Sequence, residues 1–176
     1  MKVFRLVPNS NSYSCLETRS KDWPALDQFR GVPLSAAWKP LKLRHDDTVG
    51  KRGDFPSLRG PIPALSTRAW AALSGLLERS VESLPVHADG ETLYLLNVLD
   101  VRECLDHSRS KFKRYESSER IMYVRSYSFV ESAIEGAIMW KVPETVGLEV
   151  LVSEEFKKHV DDNKLLGLEF EKVPQI

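Results

Sequence analysis

Apolar and polar residues alternate along several short segments of the chain, a pattern typical of half-buried β-strands. Residues 2–7 alternate and are followed by a Pro-Asn-Ser turn, which predicts an edge strand. Residues 38–44 alternate in the same way, although Pro40 either makes this segment an edge strand or delays its start to Leu41. Residues 9–36, between the two segments, show no such period and are predicted to be loop.

The strongest turn signal is the pair Asp89-Gly90, which lies between two β-rich flanks in residues 86–98 and predicts a hairpin. Five more segments are predicted to be strands: residues 111–115, 121–129, 138–142, 148–152 and 168–173. Because strands dominate and helices are few, the sequence predicts an α+β fold with a mainly antiparallel sheet.

Two segments predict the principal helices. Ser66 is a favourable N-cap, and the residues behind it form one apolar helical stripe. That stripe consists of Trp70, Leu73, Leu76 and Leu77. Ser153 is predicted to cap the second helix, with Glu154 and Glu155 in the first turn, where the helix dipole favours negative charge. Residues 100–108 are predicted to form one short helical turn.

The segment from residue 50 to residue 63 contains three glycines and three prolines, and it includes the triplet Arg52-Gly53-Asp54. This triplet is also an adhesion motif of the integrin-binding type, but three residues in a loop are a weak match. The alternative is architectural: Gly53 turns the chain, and Asp54 accepts hydrogen bonds from nearby backbone N–H groups. No residue of this loop is a candidate catalyst.

Charge and length narrow the possible functions. The chain has 176 residues, which favours one domain, and 25 basic residues balance 25 acidic ones. This balance argues against nucleic acid as the main partner. Residues 131–176 nevertheless hold ten acidic residues and five lysines, a net charge of −5. The N-terminus lacks the pattern of a secretory signal and no apolar run could span a bilayer, so a cytoplasmic location without a membrane partner is expected.

Candidate catalytic residues are few. Cys104 and His107 have Cys-x-x-His spacing, but a zinc site needs a second pair. Asp106, His107 and Ser108 contain the letters of a hydrolytic triad, yet a real triad is assembled from distant segments. Cys15 and Cys104 are predicted to be reduced packing residues. The sequence therefore predicts no enzymatic activity, no catalytic residue, no metal and no cofactor.

Cations and aromatic residues interleave in residues 111–129, from Lys111-Phe112-Lys113 to Phe129. Such a pattern can form a stacking platform for single-stranded RNA. The same pattern also arises when a sheet buries one aromatic face and exposes long cationic side chains on the other.

A series of short segments carries a resemblance to a known family. They are Trp38 with Pro40-Leu41, Gly53-Asp54-Phe55-Pro56, Leu65-Ser66, residues 94–99, Cys104-Leu105-Asp106 with Arg109-Ser110, residues 121–129, residues 152–157 and residues 167–170. In this order, from residue 38 to the end, the chain resembles immunity-protein family eleven of bacterial polymorphic toxin systems. Residues 1–37 match only in the opening strand.

The resemblance implies an antidote that is made beside a toxin. Residues 1–176 would then form a single immunity-type domain, with residues 38–176 as the family-like region and residues 1–37 as an N-terminal strand and loop. The expected function is neutralisation of a cognate toxin by direct stoichiometric binding that occludes its active or substrate site. The alternatives are an RNA-binding domain that uses residues 111–129 and an enzyme that reverses the damage done by a toxin.

Acidic residues are the predicted toxin contacts, because many toxins that act on nucleic acid have basic clefts. The first set lies in the predicted C-terminal helix and comprises Glu154, Glu155, Asp161 and Asp162. A competing set lies near the glycine-rich loop and comprises Asp46, Asp47 and Asp54. The alternative for each residue is a solvated surface position or, for Glu154 and Glu155, compensation of the helix dipole.

Overall fold

The computed structural model describes residues 1–48 and 50–176 and confirms the α+β class. The strands in this described part are β1 (Val3–Pro8), β2 (Cys15–Glu17), β3 (Lys42–Asp46), β4 (Ala64–Ser66), β5 (Val81–Ala88), β6 (Glu91–Val98), β7 (Lys111–Arg114), β8 (Ile121–Ser126), β9 (Met139–Trp140), β10 (Leu151–Ser153) and β11 (Leu168–Lys172). The α-helices are α1 (Trp23–Leu26), α2 (Thr67–Leu77), α3 (Glu131–Ile134) and α4 (Glu154–Asp162). None of these helices is both long and apolar enough to cross a membrane.

The first sheet has the order β11-β1-β10-β9, and all its pairs are antiparallel. Phe4 of β1 lies opposite Val152 on one side and Lys172 on the other. The prediction that β1 is an edge strand is therefore wrong. Alternation reports which face of a strand is buried, but the C-terminal strands that cover both edges of β1 come from more than 140 residues away.

The second sheet has the order β2-β3-β5-β6-β4. The predicted hairpin is confirmed as β5 and β6, which pair from Val81↔Val98 to Ala88↔Glu91. Asp89 and Gly90 both have positive φ, 49° and 85°, as a type I′ turn requires. The pair β3 and β5 is parallel, whereas the other pairs of this sheet are antiparallel.

The two principal helices begin where the sequence predicts. The Ser66 hydroxyl accepts a hydrogen bond from the Ala69 backbone N–H over 3.0 Å, and the Ser153 hydroxyl accepts one from the Phe156 N–H over 3.2 Å. Helices α2 and α4 pack against the same apolar core, which the first sheet and the edge of the second also line. Each helix thus buries one stripe of side chains and leaves the opposite face exposed to solvent.

The predicted helical turn at residues 100–108 is wrong. Here the backbone N–H of Arg102 donates to the Lys141 carbonyl over 2.9 Å, and that of Asp106 donates to the Ser128 carbonyl over 2.8 Å. Val101 and Leu105 accordingly form β-bridges with Lys141 and Phe129. These backbone groups pair with distant segments instead of forming a helix. A hydrogen-bonded turn follows at residues 107–109, where the Ser110 N–H donates to the Asp106 carbonyl over 2.8 Å.

Residues 9–36 are more ordered than the predicted loop, because they contain β2 and α1. Leu26 and Phe29 are buried in the core of the second sheet. The Asn97 side chain donates a hydrogen bond to the Val32 carbonyl over 2.7 Å, and the Lys141 ammonium donates one to the Phe29 carbonyl over 2.8 Å. These contacts fix the N-terminal segment against residues much later in the chain.

Candidate functional site

Three of the four acidic residues that were predicted as contacts on α4 form ion pairs with lysines. Glu154 contacts Lys2 at 2.6 Å, and the hydrogen bond from this lysine lowers the pKa of Glu154. Asp161 and Asp162 pair one helical turn back with Lys157 and Lys158, at 2.5 Å each. Glu155 is exposed and forms no ion pair within the described chain. The lysines therefore compensate much of the negative charge of this helix.

Asp46 and Asp47, two of the acidic residues predicted near the loop, are hydrogen-bonded to residues a few positions later in the sequence. Asp46 accepts hydrogen bonds from the backbone and hydroxyl of Thr48, and the hydroxyl contributes most to lowering the pKa of Asp46. Asp47 contacts the Arg52 guanidinium at 2.9 Å, and this hydrogen bond lowers the pKa of Asp47. Arg52 of the Arg-Gly-Asp triplet also lies 3.3 Å from Glu91. Asp47 is exposed and Asp46 is half-buried, and the hydrogen bonds described favour the ionised form of both carboxylates.

Asp54 differs from the other predicted contacts because it is only 6% exposed. Its carboxylate accepts hydrogen bonds from the Ser66 hydroxyl (2.8 Å), the Arg68 guanidinium (2.6 Å) and the Leu166 backbone N–H (2.9 Å). A Cβ on the preceding Gly53 would lie 2.6 Å from the Tyr13 ring. The triplet is thus an architectural turn, as the alternative interpretation held, and Asp54 is a structural residue rather than an exposed contact.

The structure brings together Ser14, His45 and Glu91, a constellation that sequence spacing gave no means of finding. The Ser14 hydroxyl lies 3.2 Å from His45 Nδ1, and His45 Nε2 lies 3.8 Å from a Glu91 carboxylate oxygen. Burial lowers the pKa of His45, with the charge of Arg52 as a smaller cause. Ser14 is completely buried, so no substrate can reach its hydroxyl.

Cys104 and His107 are the two residues with Cys-x-x-His spacing. His107 is exposed and hydrogen-bonded to Glu144, but Cys104 is fully buried. Burial raises the pKa of the Cys104 thiol to about 11, so the thiol is protonated and unreactive at neutral pH. Cys15 and Cys104 are both free thiols. Across residues 1–48 and 50–176, no three His, Cys, Asp or Glu side chains are grouped so that they could hold a metal.

The basic and aromatic segment at residues 111–129 divides between a buried side and an exposed side. Tyr127 is fully buried and stacks on Phe129, with ring centroids 5.4 Å apart. Tyr115 and Tyr123 remain 42% and 45% exposed. The exposed cations of the two strands and their turn are Lys111, Arg114, Arg120 and Arg125. Only part of the interleaved pattern is therefore available to a partner.

A buried polar network lies beneath this hairpin and centres on Glu149. Its carboxylate accepts hydrogen bonds from Arg5 (2.8 Å), the Tyr127 hydroxyl (2.8 Å) and the Thr145 hydroxyl (2.6 Å). Burial and the negative charge of Glu149 raise the pKa of Tyr127 well above its ordinary value. Because all its members are paired, the network ties β1 to the segment before β10 without leaving a group free for chemistry.

Two concave regions flank the side chain of Leu148, which is 50% exposed. The first has a volume of about 270 Å³, and we call it the Leu148 groove. Its walls include Arg30, Tyr115, Arg120, Ile121, Glu144 and Leu148. The second, of about 320 Å³, lies on the other side of Leu148 and reaches Arg5, Met122 and Tyr123.

The described residues form an α+β protein in which the candidate nucleophiles Ser14 and Cys104 are both fully buried. The model of the Immunity protein family (Imm11) matches residues 83–175, more than half of the chain, and the protein belongs to this family. The resemblance read from the sequence is thereby confirmed, although its segments before residue 83 lie outside the match. No curated protein matches the chain.

Proposed function

We propose that the protein neutralises a cognate bacterial toxin by direct one-to-one binding that covers the active or substrate site of the toxin. Membership of the immunity protein family is the observation that carries this proposal. The burial of Ser14 and Cys104 supports a stoichiometric mechanism, since neither nucleophile can be reached by a substrate. The proposed setting is a polymorphic toxin system, with the antidote acting in the cytoplasm of the bacterium that makes the toxin.

Such an antidote has to bind tightly, because a small amount of free toxin harms the cell. Nanomolar affinity corresponds to about 12 kcal/mol and is typically reached by interfaces that bury roughly 800 Å² on each partner. This area is less than a tenth of the 9491 Å² that the chain exposes. The protein therefore has ample surface for one contact region of ordinary size.

The exposed acidic residues remain our proposed contacts for steering the toxin towards the protein. Glu154, Glu155, Asp161 and Asp162 form one such region on α4, and Asp46 and Asp47 form the competing region. Charges at the rim of an interface change the association rate more than the final affinity. Asp54 supports this proposal indirectly, because its carboxylate holds the loop that carries Asp47 and Arg52.

We further propose that residues 1–176 form a single immunity-type domain. This proposal is supported by contacts between the first 37 residues and the family-matched region. The ammonium of Lys141 donates a hydrogen bond to the Phe29 carbonyl, and the Asn97 side chain donates one to the Val32 carbonyl. A single cooperative unfolding transition is the expected behaviour.

The deciding experiment uses the product of the gene beside this one as the probe. The two proteins are co-expressed, purified together and examined by light scattering, and cell survival is scored with and without this chain. We expect a one-to-one complex and protection that requires at least equimolar amounts. Protection at strongly sub-stoichiometric amounts would instead favour an enzyme that reverses damage. Failure to bind or protect would exclude neutralisation of this probe.

A further inference from the structure

Within the described chain, the arginines beside the Leu148 groove lack ion-pair partners, whereas Glu154, Asp161 and Asp162 of α4 are each paired with a lysine. Among the described residues, neither Arg30 nor Arg120 forms an ion pair. The one carboxylate in the groove wall, Glu144, is 11% exposed and hydrogen-bonded to His107. This contrasts with Glu154, whose carboxylate is already occupied by a lysine. An unpaired arginine on the surface can accept a carboxylate from a partner without first breaking an internal ion pair.

The position of Arg30 is defined by contacts that leave most of its donors free. Its Nε donates to the Asp27 carbonyl over 3.1 Å. The guanidinium lies against Gly147, where a Cβ would come within 3.2 Å of Arg30 Cζ. The absence of a side chain at Gly147 lets the guanidinium pack closely against the backbone beside the groove. Arg120 is exposed on the opposite strand connection and makes no side-chain hydrogen bond within the described chain.

A third cation, Lys141, lies buried near the groove and is 1% exposed. Its ammonium donates hydrogen bonds to the carbonyls of Phe29 (2.8 Å) and Val146 (2.9 Å), and no carboxylate is bonded to it. Burial, with the charge of Arg30 as a smaller cause, lowers the pKa of Lys141 to about 8. The three cations outnumber the one carboxylate of the groove wall, Glu144, whose Oε2 is buried without a hydrogen-bond partner among the described residues, so positive charge predominates around the groove.

The rest of the groove is apolar and aromatic. Leu148 and Tyr115 are 50% and 42% exposed, and Ile121, the first residue of β8, also lines the groove. Tyr123, at 45%, extends the exposed surface beyond Leu148. Tyrosine and arginine are among the residues that most often dominate binding energy in protein interfaces, and Leu148 adds apolar area between them.

The size of the groove favours a protein segment over a small ligand. Its volume of about 270 Å³ lies below the usual range of cofactor and substrate pockets, roughly 300–1,000 Å³. One or two side chains of a partner fit such a space. RNA is less favoured, since Leu148 and Ile121 offer aliphatic contact rather than stacking, and since Glu116 and Glu119 lie in the same hairpin turn.

We propose that the Leu148 groove anchors the toxin, and that the toxin inserts an acidic side chain beside Arg30 and Arg120 while its apolar neighbours cover Leu148 and Tyr115. This inference rests on the proposed function and names the chemistry of the partner: a carboxylate flanked by apolar surface. The groove supplies the affinity of the complex through its dissociation rate. The acidic residues elsewhere on the protein then affect mainly its association rate.

The test uses two double variants. The groove variant carries Arg30→Glu and Arg120→Glu together, and the matched control carries Arg79→Glu and Lys42→Glu together. The control side chains are exposed, carry the same charge and form neither a hydrogen bond nor an ion pair within the described residues. Binding to the neighbouring gene product is followed by surface plasmon resonance. We expect the groove variant to dissociate at least roughly 30-fold faster, the loss typical of an anchor residue, and the control to stay within about 3-fold.

The thermal unfolding of each variant is measured beside its binding. If Arg30→Glu unfolds the chain, a milder double variant, Arg120→Ala with Leu148→Ala, takes its place. Restored binding of the groove variant to a toxin whose contacting carboxylate is changed to lysine would identify the anion directly. If the folded groove variants dissociate at the wild-type rate while the wild-type protein still neutralises the toxin, the groove is not the anchor, and the proposed function is left intact. Loss of binding to an RNA oligonucleotide, with toxin binding unaffected, would assign the groove to RNA and also overturn the proposal.

Discussion

The backbone N–H of Leu166 donates a hydrogen bond to the carboxylate of Asp54 over 2.9 Å, which joins two residues 112 positions apart in sequence. The reverse contact is also present, since the Asp54 N–H donates to the Leu166 carbonyl over 2.7 Å. The same carboxylate accepts a hydrogen bond from Ser66, whose hydroxyl oxygen caps α2. Asp54 therefore connects the glycine-rich loop, the start of a helix and the segment before β11.

We expect Asp54→Ala to lower the free energy of unfolding by about 2–4 kcal/mol, because it leaves the N–H of Leu166, the hydroxyl of Ser66 and the guanidinium of Arg68 without their buried acceptor. Asp54→Asn keeps one acceptor oxygen and should cost about half as much. Urea denaturation measures both changes. Asp47→Ala, in an exposed ion pair with Arg52, is the control and should leave the midpoint unchanged. Equal midpoints for Asp54→Ala and Asp47→Ala would contradict this role.

The buried Lys141 should make stability depend on pH. Its pKa is about 8 in the folded chain against an ordinary value of 10.5, so between these values the unfolded chain binds more protons. The contribution of Lys141 to the free energy of unfolding therefore rises as the pH increases from 8 to 10.5, by a total on the order of 3 kcal/mol. Urea denaturation across this range, compared with Lys141→Met, measures the difference.

The comparison with Lys141→Met is needed because Cys104 acts in the opposite direction. Its pKa is raised from 9.0 to about 11, so the unfolded chain loses this proton first and stability falls between these values. Both proteins carry Cys104, so its contribution cancels when one curve is subtracted from the other. Parallel curves for wild type and Lys141→Met would show that Lys141 titrates normally in the folded protein.

The two cysteines should differ in reactivity towards a thiol reagent at pH 8. Cys104 is fully buried with its pKa near 11, whereas Cys15 is half-buried near the edge of the second sheet. We expect one thiol to react promptly in the native protein and the second to react only on unfolding. Cys15→Ala should remove the prompt reaction, and Cys104→Ala should leave it in place. Two equally fast thiols in native protein would disprove the burial of Cys104.

Charge reversal of Glu154, Glu155, Asp161 and Asp162 should slow association with the toxin, with its largest effect at low salt. Because lysines already pair with three of these residues, we expect a reduction of only about 10-fold rather than the full range of electrostatic steering. Stopped-flow measurements at two ionic strengths give the rates. Glu78→Lys with Glu103→Lys is the control, because both residues are exposed, carry negative charge and form no ion pair within the described residues. An association rate that does not change at low salt would remove these residues from the contact region.

Patterns in the sequence correctly predicted those features that depend only on residues near one another in the chain. The Asp89-Gly90 turn, the caps at Ser66 and Ser153 and the alternation of β11 are all present, because each depends on residues a few positions apart. The segment at residues 100–108 shows the limit of such patterns. Its polar residues suggested a helical turn, but its backbone groups bond Lys141 and Ser128 instead.

Candidate sites were harder to predict than elements of the fold. Counting charges identified the acidic C-terminal region but could not show that Lys2, which is 152 positions earlier, neutralises Glu154. Spacing gave no sign that Arg30 would lie against Gly147 or that Arg120 would share a groove with it. Only the family resemblance, which depends on the order of many segments, indicated the function from the sequence.

The sequence by itself determined the class of the fold, the hairpin turn and the starts of both principal helices, because turn chemistry, capping and side-chain periodicity act between near neighbours in the chain. The family was indicated separately, by the resemblance of an ordered series of segments. The tertiary structure alone decided that β1 is an interior strand, that Asp54 is internal and that unpaired arginines border the Leu148 groove. These features depend on which distant segments come together, and burial and charge pairing exist only after those segments have packed.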